Sequence, residues 1–104
     1  MDLAVETYAL ANKLPASERF GLASQIQRAS ISIPSNIAEG SKRTSRNDFR
    51  HFCLIALGSA AEVETQLELV ERIYKIDATN VKTRAVTIQK MLTSLAKQLK
   101  ISAQ

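Results

Sequence analysis

Apolar residues recur at helical spacing along most of the chain. Near the N-terminus, Leu3, Thr7, Leu10 and Leu14 follow one another at intervals of three and four. This spacing predicts a short amphipathic helix over residues 2–13, because residues three and four apart share one face of an α-helix.

A second helix is predicted over residues 16–39, with Pro15 and Ser17 favouring its start. Pro34 lies inside this pattern and removes the donor that would pair with the Ser30 carbonyl, which predicts a kink there. Gly40 has the position of a glycine just past a helix end. The expected buried face consists of Leu22, Ile26, Ala29, Ile33 and Ile37.

A third helix is predicted over residues 46–74, where Ser45 with Asp48 resembles a capping box. No charged residue occurs between Phe52 and Ala61. An isolated surface helix would not tolerate such a segment. We therefore expect it to be enclosed on most sides, partly by contact with another protomer.

The fourth helix, over residues 79–100 with Asp77 or Thr79 as its cap, has the cleanest pattern. Short connections between successive helices favour antiparallel neighbours. The sequence therefore predicts an all-α, up-down-up-down four-helix bundle that forms one domain over residues 1–104. The apolar heptad positions of the fourth helix are Val81, Ala85, Ile88, Leu92, Leu95 and Leu99.

The bulk composition fits a single small domain, since 104 residues that are 45% hydrophobic can supply one modest core. The N-terminus lacks the basic segment and apolar run of a secretory signal. The longest uncharged stretches fall short of the roughly 18–20 apolar residues that a bilayer span needs. We therefore expect a cytoplasmic protein with no membrane contact.

Positive charge is concentrated in two parts of the chain. Residues 41–50 carry four basic groups against one acid, and residues 78–104 carry five basic groups and no acid. This asymmetry is compatible with a polyanionic partner, although a solvated lysine face that maintains solubility is an equal alternative. The candidate nucleic-acid contacts are Lys42, Arg43, Arg46 and Arg50, with Lys82, Lys90, Lys97 and Lys100 on one face of the fourth helix.

The basic loop 41–46 contains no aromatic residue, so contacts to phosphates are expected rather than stacked bases. The N-terminus of the third helix adds free N–H groups to the basic loop that precedes it.

Catalytic and metal-binding residues are scarce. His51 and Cys53 are the single histidine and cysteine, and residues two apart on a helix point in different directions. One His and one Cys supply too few ligands for a metal, and the three scattered glycines form no phosphate-binding motif. We expect no enzymatic activity, no cofactor and no metal. We expect Cys53 to be a buried small apolar residue.

Polar residues also occur within the apolar helices, and Arg28, Ser32 and Asn36 form one stripe at intervals of four. Polar groups near a bundle interior must be hydrogen-bonded, and a buried Arg needs an acidic partner. A structural network or a protomer contact is favoured over a ligand pocket. The full set is Gln25, Arg28, Ser32, Asn36 and Glu39 on the second helix, and Ser59, Glu62 and Gln66 on the third.

Two segments, Ser32-Ile33-Pro34-Ser35-Asn36-Ile37-Ala38-Glu39-Gly40 and Gly58-Ser59-Ala60-Ala61-Glu62-Val63-Glu64-Thr65-Gln66-Leu67, carry a family resemblance. The chain resembles the "four helix bundle protein", or 23S rRNA intervening sequence protein, family of bacteria. The resemblance implies a homopentamer. It also implies similarity to the accessory variability determinant of diversity-generating retroelements, which binds nucleic acid and a reverse transcriptase. Family members usually begin with further residues containing a Leu-x-x-Trp motif, whereas this chain has no Trp.

Three functions follow as hypotheses. The first is a non-enzymatic oligomeric scaffold that binds RNA or an RNA–protein complex, with a reverse transcriptase-like client as a further possible partner. The alternative is a protein–protein interaction module with no nucleic-acid contact. Helix-turn-helix DNA binding through Arg46 and Arg50 ranks third, because the helices are too long for such a compact module.

Overall fold

The computed structural model describes residues 1–100, which form an all-α four-helix bundle. The helices are α1 (Asp2–Ala11), α2 (Leu22–Ser41), α3 (Arg46–Tyr74) and α4 (Thr79–Leu99), and a single 3-10 turn (Ala16–Glu18) precedes α2. The bundle measures 52 × 20 × 18 Å. No helix in this part of the chain is long and apolar enough to cross a membrane.

The core follows the predicted apolar faces. On α4, Ala85 and Leu92 are buried, and Val81, Ile88, Leu95 and Leu99 pack against the core. On α3, Cys53 is fully buried, as expected, and desolvation raises the pKa of its thiol. Each helix therefore buries the face that its periodicity predicts.

Contacts between α2 and α3 are those expected for antiparallel neighbours. The Ser59 hydroxyl near the middle of α3 donates to the Ser32 hydroxyl in α2 at 2.9 Å. At one end of this pair, the Tyr74 hydroxyl donates to the Glu18 carboxylate. Gly40 at the other end lies beside Phe52. Pro34 lies inside α2, and the kink predicted there stays a prediction.

Several predicted helix ends are wrong. The first helix ends at Ala11, before the predicted residue 13, and α2 begins at Leu22 rather than at residue 16. The backbone leaves helical geometry at Gly21, with φ −111° and ψ −115°, so α2 begins only after it. The Glu18 carboxylate then accepts a hydrogen bond from the Leu22 N–H at 3.0 Å and so satisfies a free donor of the first turn.

Gly40 is not the residue that follows the helix, because α2 continues to Ser41. Its role is close packing: a Cβ at Gly40 would lie 2.7 Å from the Phe52 Cβ and 3.0 Å from Phe49 Cδ1. Only glycine lets the two helices approach this closely.

The caps of the last two helices differ in kind. The Ser45 side chain accepts from the Asp48 N–H at 3.0 Å, which confirms the predicted N-cap of α3. For α4 the N-cap position is Ala78, whose N–H donates to Glu71 Oε2 at 2.9 Å. Asp77 accepts from the Thr79 N–H at 3.0 Å, so it contributes to the cap from the preceding position.

A buried hydroxyl pair links α1 to α2. Thr7 is fully buried, and its hydroxyl donates to the Ser30 hydroxyl at 2.8 Å. Ser30 in turn donates to the Gln27 carbonyl at 2.9 Å. The polar Thr7 in the apolar stripe of α1 is thereby satisfied, as a buried polar group must be.

Candidate nucleic-acid interface

The two basic parts of the sequence meet at one end of the bundle. The loop between α2 and α3 lies at the same end as the last turn of α4. Two hydrogen bonds join them: Arg46 Nη2 donates to the Gln98 carbonyl at 2.5 Å, and Arg50 Nε donates to the Ala96 carbonyl at 3.1 Å. We call this region the basic end; its cations are Lys42, Arg43, Arg46, Arg50, Lys97 and Lys100.

Acidic groups at the basic end are few. Arg43 forms an exposed ion pair with Glu39 at 2.6 Å and lies over the Phe52 ring at 5.1 Å. Asp48 is the other nearby acid, on the first turn of α3. Within residues 1–100, Lys42 and the two lysines of the α4 end make no ion pair. A net positive surface results.

Lys82 has different neighbours from the other predicted nucleic-acid contacts. Its ammonium lies 2.8 Å from Glu68 Oε2 and 2.5 Å from Glu71 Oε1, near the opposite end of α4. The hydrogen bonds that Lys82 donates to Glu68 and then to Glu71 raise the pKa of Lys82 to about 12. Because two carboxylates already neutralise it, Lys82 clamps α3 to α4. The sequence placed it with the exposed lysines because helical phase alone does not reveal the neighbouring helix.

Lys90 lies between these two regions, on an exposed strip of α4. The strip is rich in hydroxyl groups and contains no acid: its exposed residues include Thr83, Thr87, Lys90, Thr93, Ser94 and Lys97. Ser, Thr and Lys side chains are common ligands of nucleic-acid phosphates. Lys97 thus continues the positive surface of the basic end along α4, whereas Lys90 also borders Glu64 and Glu68 of α3.

The predicted polar set divides into a bonded part and an exposed part. Asn36 Nδ2 donates to the Ser32 carbonyl at 2.8 Å and to its hydroxyl at 2.9 Å, and the same hydroxyl accepts from Ser59. Gln66 is buried and bonds Glu62 at 3.3 Å, while its Oε1 has no partner among the described residues.

Gln25 and Arg28 are exposed instead, so the expected buried Arg–Glu pair is absent from the described part of the chain. Glu39 pairs with Arg43, at the basic end. One bond of this set, from Ser59 to Ser32, crosses the seam between α2 and α3, and the bonds of Asn36 and Gln66 lie within one helix each.

The uncharged segment of α3 is enclosed on one side only. Cys53, Ala56 and Ala60 are fully buried, whereas Leu54 and Ile55 remain exposed. Together with other exposed apolar residues of α2 and α3, they form what we call the outer apolar face: Ile31, Leu54, Ile55, Leu69 and Ile73, which are 39–56% exposed. Gly58 lies among them, and a Cβ there would meet no atom within 4 Å.

The candidate catalytic residues do not come together. Cys53 is fully buried, whereas His51 is exposed and packs its ring edge against Phe52, with the ring centroids 5.8 Å apart. Residues 1–100 contain no cluster of three His, Cys, Asp or Glu side chains that could hold a metal ion.

Comparison with known proteins identifies the family of this chain. The model of the 23S rRNA-intervening sequence protein family matches residues 1–100. The chain belongs to this family. The two segments that carried the resemblance, 32–40 and 58–67, lie in α2 and α3, and Ser32 and Ser59 are hydrogen-bonded to each other across that seam.

A solved structure shares this fold. It is a protein with unknown function from the S23 ribosomal protein family of Bacteroides thetaiotaomicron VPI-5482, which is 32% identical to this chain. The alignment covers 92% of this chain and 93% of that one, with a TM-score of 0.84. No curated protein matches the chain. The 23S rRNA-intervening sequence family thus accounts for the bundle along nearly its whole length.

Proposed function

We propose that this protein is a non-enzymatic, self-associating scaffold of the bacterial cytoplasm that binds RNA through the phosphate backbone. The observation that carries the proposal is the convergence of the basic loop and the last turn of α4 at one end of the bundle. Family membership supports RNA as the polyanion, because the family is named after an rRNA intervening sequence.

The chemistry of the basic end favours phosphates over bases. Its cations lie on helix ends and a loop. The nearby rings of Phe49 and Phe52 are half-buried, with Phe52 under Arg43, and the exposed His51 ring packs its edge against Phe52. Stacked recognition of single-stranded bases needs exposed aromatic rings. Binding through phosphates releases counterions, so the affinity should fall steeply with salt and vary little with sequence.

A charge-matched pair of variants tests the RNA site. Lys42→Gln/Lys97→Gln removes two exposed cations of the basic end, and Lys13→Gln/Lys75→Gln removes two exposed lysines from the other end of the bundle. With a short RNA hairpin as probe, we expect the first variant to lose about tenfold in affinity and to flatten the salt slope by about 2, as expected for two lost phosphate contacts. Equal losses of RNA affinity in both variants would show that only the net charge matters, which contradicts a localised RNA site.

The outer apolar face supports the self-association part of the proposal. Exposed large apolar side chains on a helical bundle are compatible with a protein–protein contact, and five of them lie on this side of α2 and α3. Gly58 allows a helix of a second copy to approach α3 closely, since no atom of residues 1–100 lies within 4 Å of a Cβ placed there. The resemblance implies five copies, which would give a particle of five times the 11.5 kDa chain mass.

Light scattering tests this face. Ile55→Glu introduces a charge into it, whereas Met91→Glu does so at an exposed apolar residue of α4 outside it. We expect the wild type and Met91→Glu to associate and Ile55→Glu to run as a monomer at the same concentration. A monomeric wild type would refute self-association, and an associated Ile55→Glu would place the contact elsewhere.

The second candidate function is a protein-interaction module without nucleic-acid contact, with a reverse transcriptase-like protein as one client. The same outer apolar face favours it, because a client could bind where a second copy would. Affinity capture from cells with and without nuclease separates the two: clients that survive nuclease treatment support the module, and clients lost with the RNA support the scaffold.

A further inference from the structure

The last turn of α4 is held by side chains from another helix. A helix end leaves its last four carbonyls without intrahelical donors. In α4 the Ala96 carbonyl accepts from Arg50 Nε at 3.1 Å, and the Gln98 carbonyl accepts from Arg46 Nη2 at 2.5 Å. The Lys97 carbonyl accepts from the Lys100 N–H at 3.2 Å. Two of these three partners come from the first turns of α3.

The two arginines suit this position for an electrostatic reason as well. The C-terminal end of a helix carries a partial negative charge, which a cation stabilises. Arg50 is only partly exposed, and its Nε is directed to a backbone oxygen of α4. A donor engaged in this way is not available to a phosphate without releasing the helix end.

We infer that Arg50, with Arg46, is a positioning residue that fixes the last turn of α4 and thereby presents Lys97 and Lys100 to RNA. This inference rests on the proposed function. The lysines that contact phosphate lie within or just beyond that turn, so their spacing relative to the basic loop depends on its order. Groups that are ordered before binding lose less entropy when they bind, which favours affinity.

The substitution Arg50→Lys separates positioning from direct contact. Lysine keeps the positive charge and can still bind phosphate, but it has a methylene group where arginine has Nε–H. A positioning role predicts a several-fold loss of affinity for an RNA hairpin, because the bond to the Ala96 carbonyl is lost. A direct phosphate contact predicts a loss that does not depend on Lys97 and Lys100, because that contact would act on its own. Arg72→Lys, an exposed arginine of the same helix, is the matched control.

A double-mutant cycle completes the test. Arg50→Lys is combined with Lys97→Gln/Lys100→Gln, which removes the lysines that Arg50 is inferred to position. Coupled residues show non-additive effects, so Arg50→Lys should cost less than twofold in this background. Amide hydrogen exchange of the last turn of α4 should be faster in Arg50→Lys than in Arg72→Lys.

Each outcome decides a different claim. An Arg50→Lys protein with wild-type affinity, or one that loses the same factor in both backgrounds, overturns the positioning role while leaving the RNA site intact. A wild-type protein that does not bind the hairpin at all overturns the proposed function, and the inference with it. Unchanged exchange at the end of α4 also contradicts the inference, because the helix end is then held without Arg50.

Discussion

The same substitution should have opposite effects at two glycines of this bundle. Gly40 in α2 and Gly58 in α3 both lie within helices at negative φ, so alanine suits either backbone conformation. Replacing a helical glycine by alanine stabilises by roughly 0.5–1 kcal/mol, because the glycine backbone loses more entropy on folding. At Gly58 the added Cβ meets nothing within 4 Å, so this gain is all that we expect.

At Gly40 the packing term dominates. The added Cβ would lie 2.7 Å from the Phe52 Cβ, an atom fixed to the backbone of α3, so the two helices must separate. Overpacking of this kind costs about 1–3 kcal/mol. We therefore expect Gly40→Ala to lower the free energy of unfolding by about 1–2 kcal/mol and Gly58→Ala to raise it by about 0.5–1 kcal/mol.

Thermal and urea denaturation measure this difference. A gap of about 2 kcal/mol corresponds to a separation in Tm of roughly 10 °C in a domain of this size. The measurement belongs at a dilution where light scattering gives the monomer mass, since Gly58 lies on the outer apolar face. If both variants move the Tm in the same direction, the close approach of α2 and α3 at Gly40 is wrong.

Three further changes test the clamp, the α2 start and the buried hydroxyl pair. Lys82→Gln should lower the Tm without weakening RNA binding, because two carboxylates already bind the Lys82 ammonium. A loss of RNA affinity in this variant would show that Lys82 belongs to the RNA site. The pKa of Glu18 is lowered by its bond with Tyr74 and by the Leu22 N–H, so its stabilisation is present above its usual pKa and is lost on acidification. Tyr74→Phe should therefore lower the Tm at neutral pH and shrink its fall towards acid pH, and an unchanged acid profile would contradict this bond. Thr7→Val should cost about 1–2 kcal/mol in urea denaturation, since it leaves a buried hydroxyl without its donor, whereas Thr65→Val on the exposed surface serves as the near-neutral control.

Helix identity was predictable here because apolar residues recur at helical spacing along most of the chain. The limits of α3 agree with prediction at Arg46 and Tyr74, where Ser45 supplies a local cap. The end of α2 was not predictable from Gly40, because a glycine after a helix and a glycine between packed helices look alike in sequence. The difference lies in Phe52, twelve residues further along the chain.

The sequence predicts which charged residues belong to the candidate site but not how they are arranged in space. Charge layout singled out the basic loop and α4, and the structure brings Arg46 and Arg50 against the end of α4. The charge layout could not reveal that Lys82 is paired with Glu68 and Glu71, because that contact depends on how the turn between α3 and α4 folds. The bond from Arg50 to the Ala96 carbonyl spans 46 residues, and no local signal marks a backbone acceptor.

The two proposed surfaces use different parts of the chain, and this separation has a functional consequence. The outer apolar face is built from one side of α2 and α3, while the basic end is built from helix termini and a loop. Association through the first would therefore leave the second exposed and would repeat it once per copy. Linked sites raise apparent affinity well beyond that of one site when the ligand spans them. Self-association would therefore raise the RNA affinity of a small chain that offers few exposed lysines, which is why self-association and RNA binding belong to one proposal.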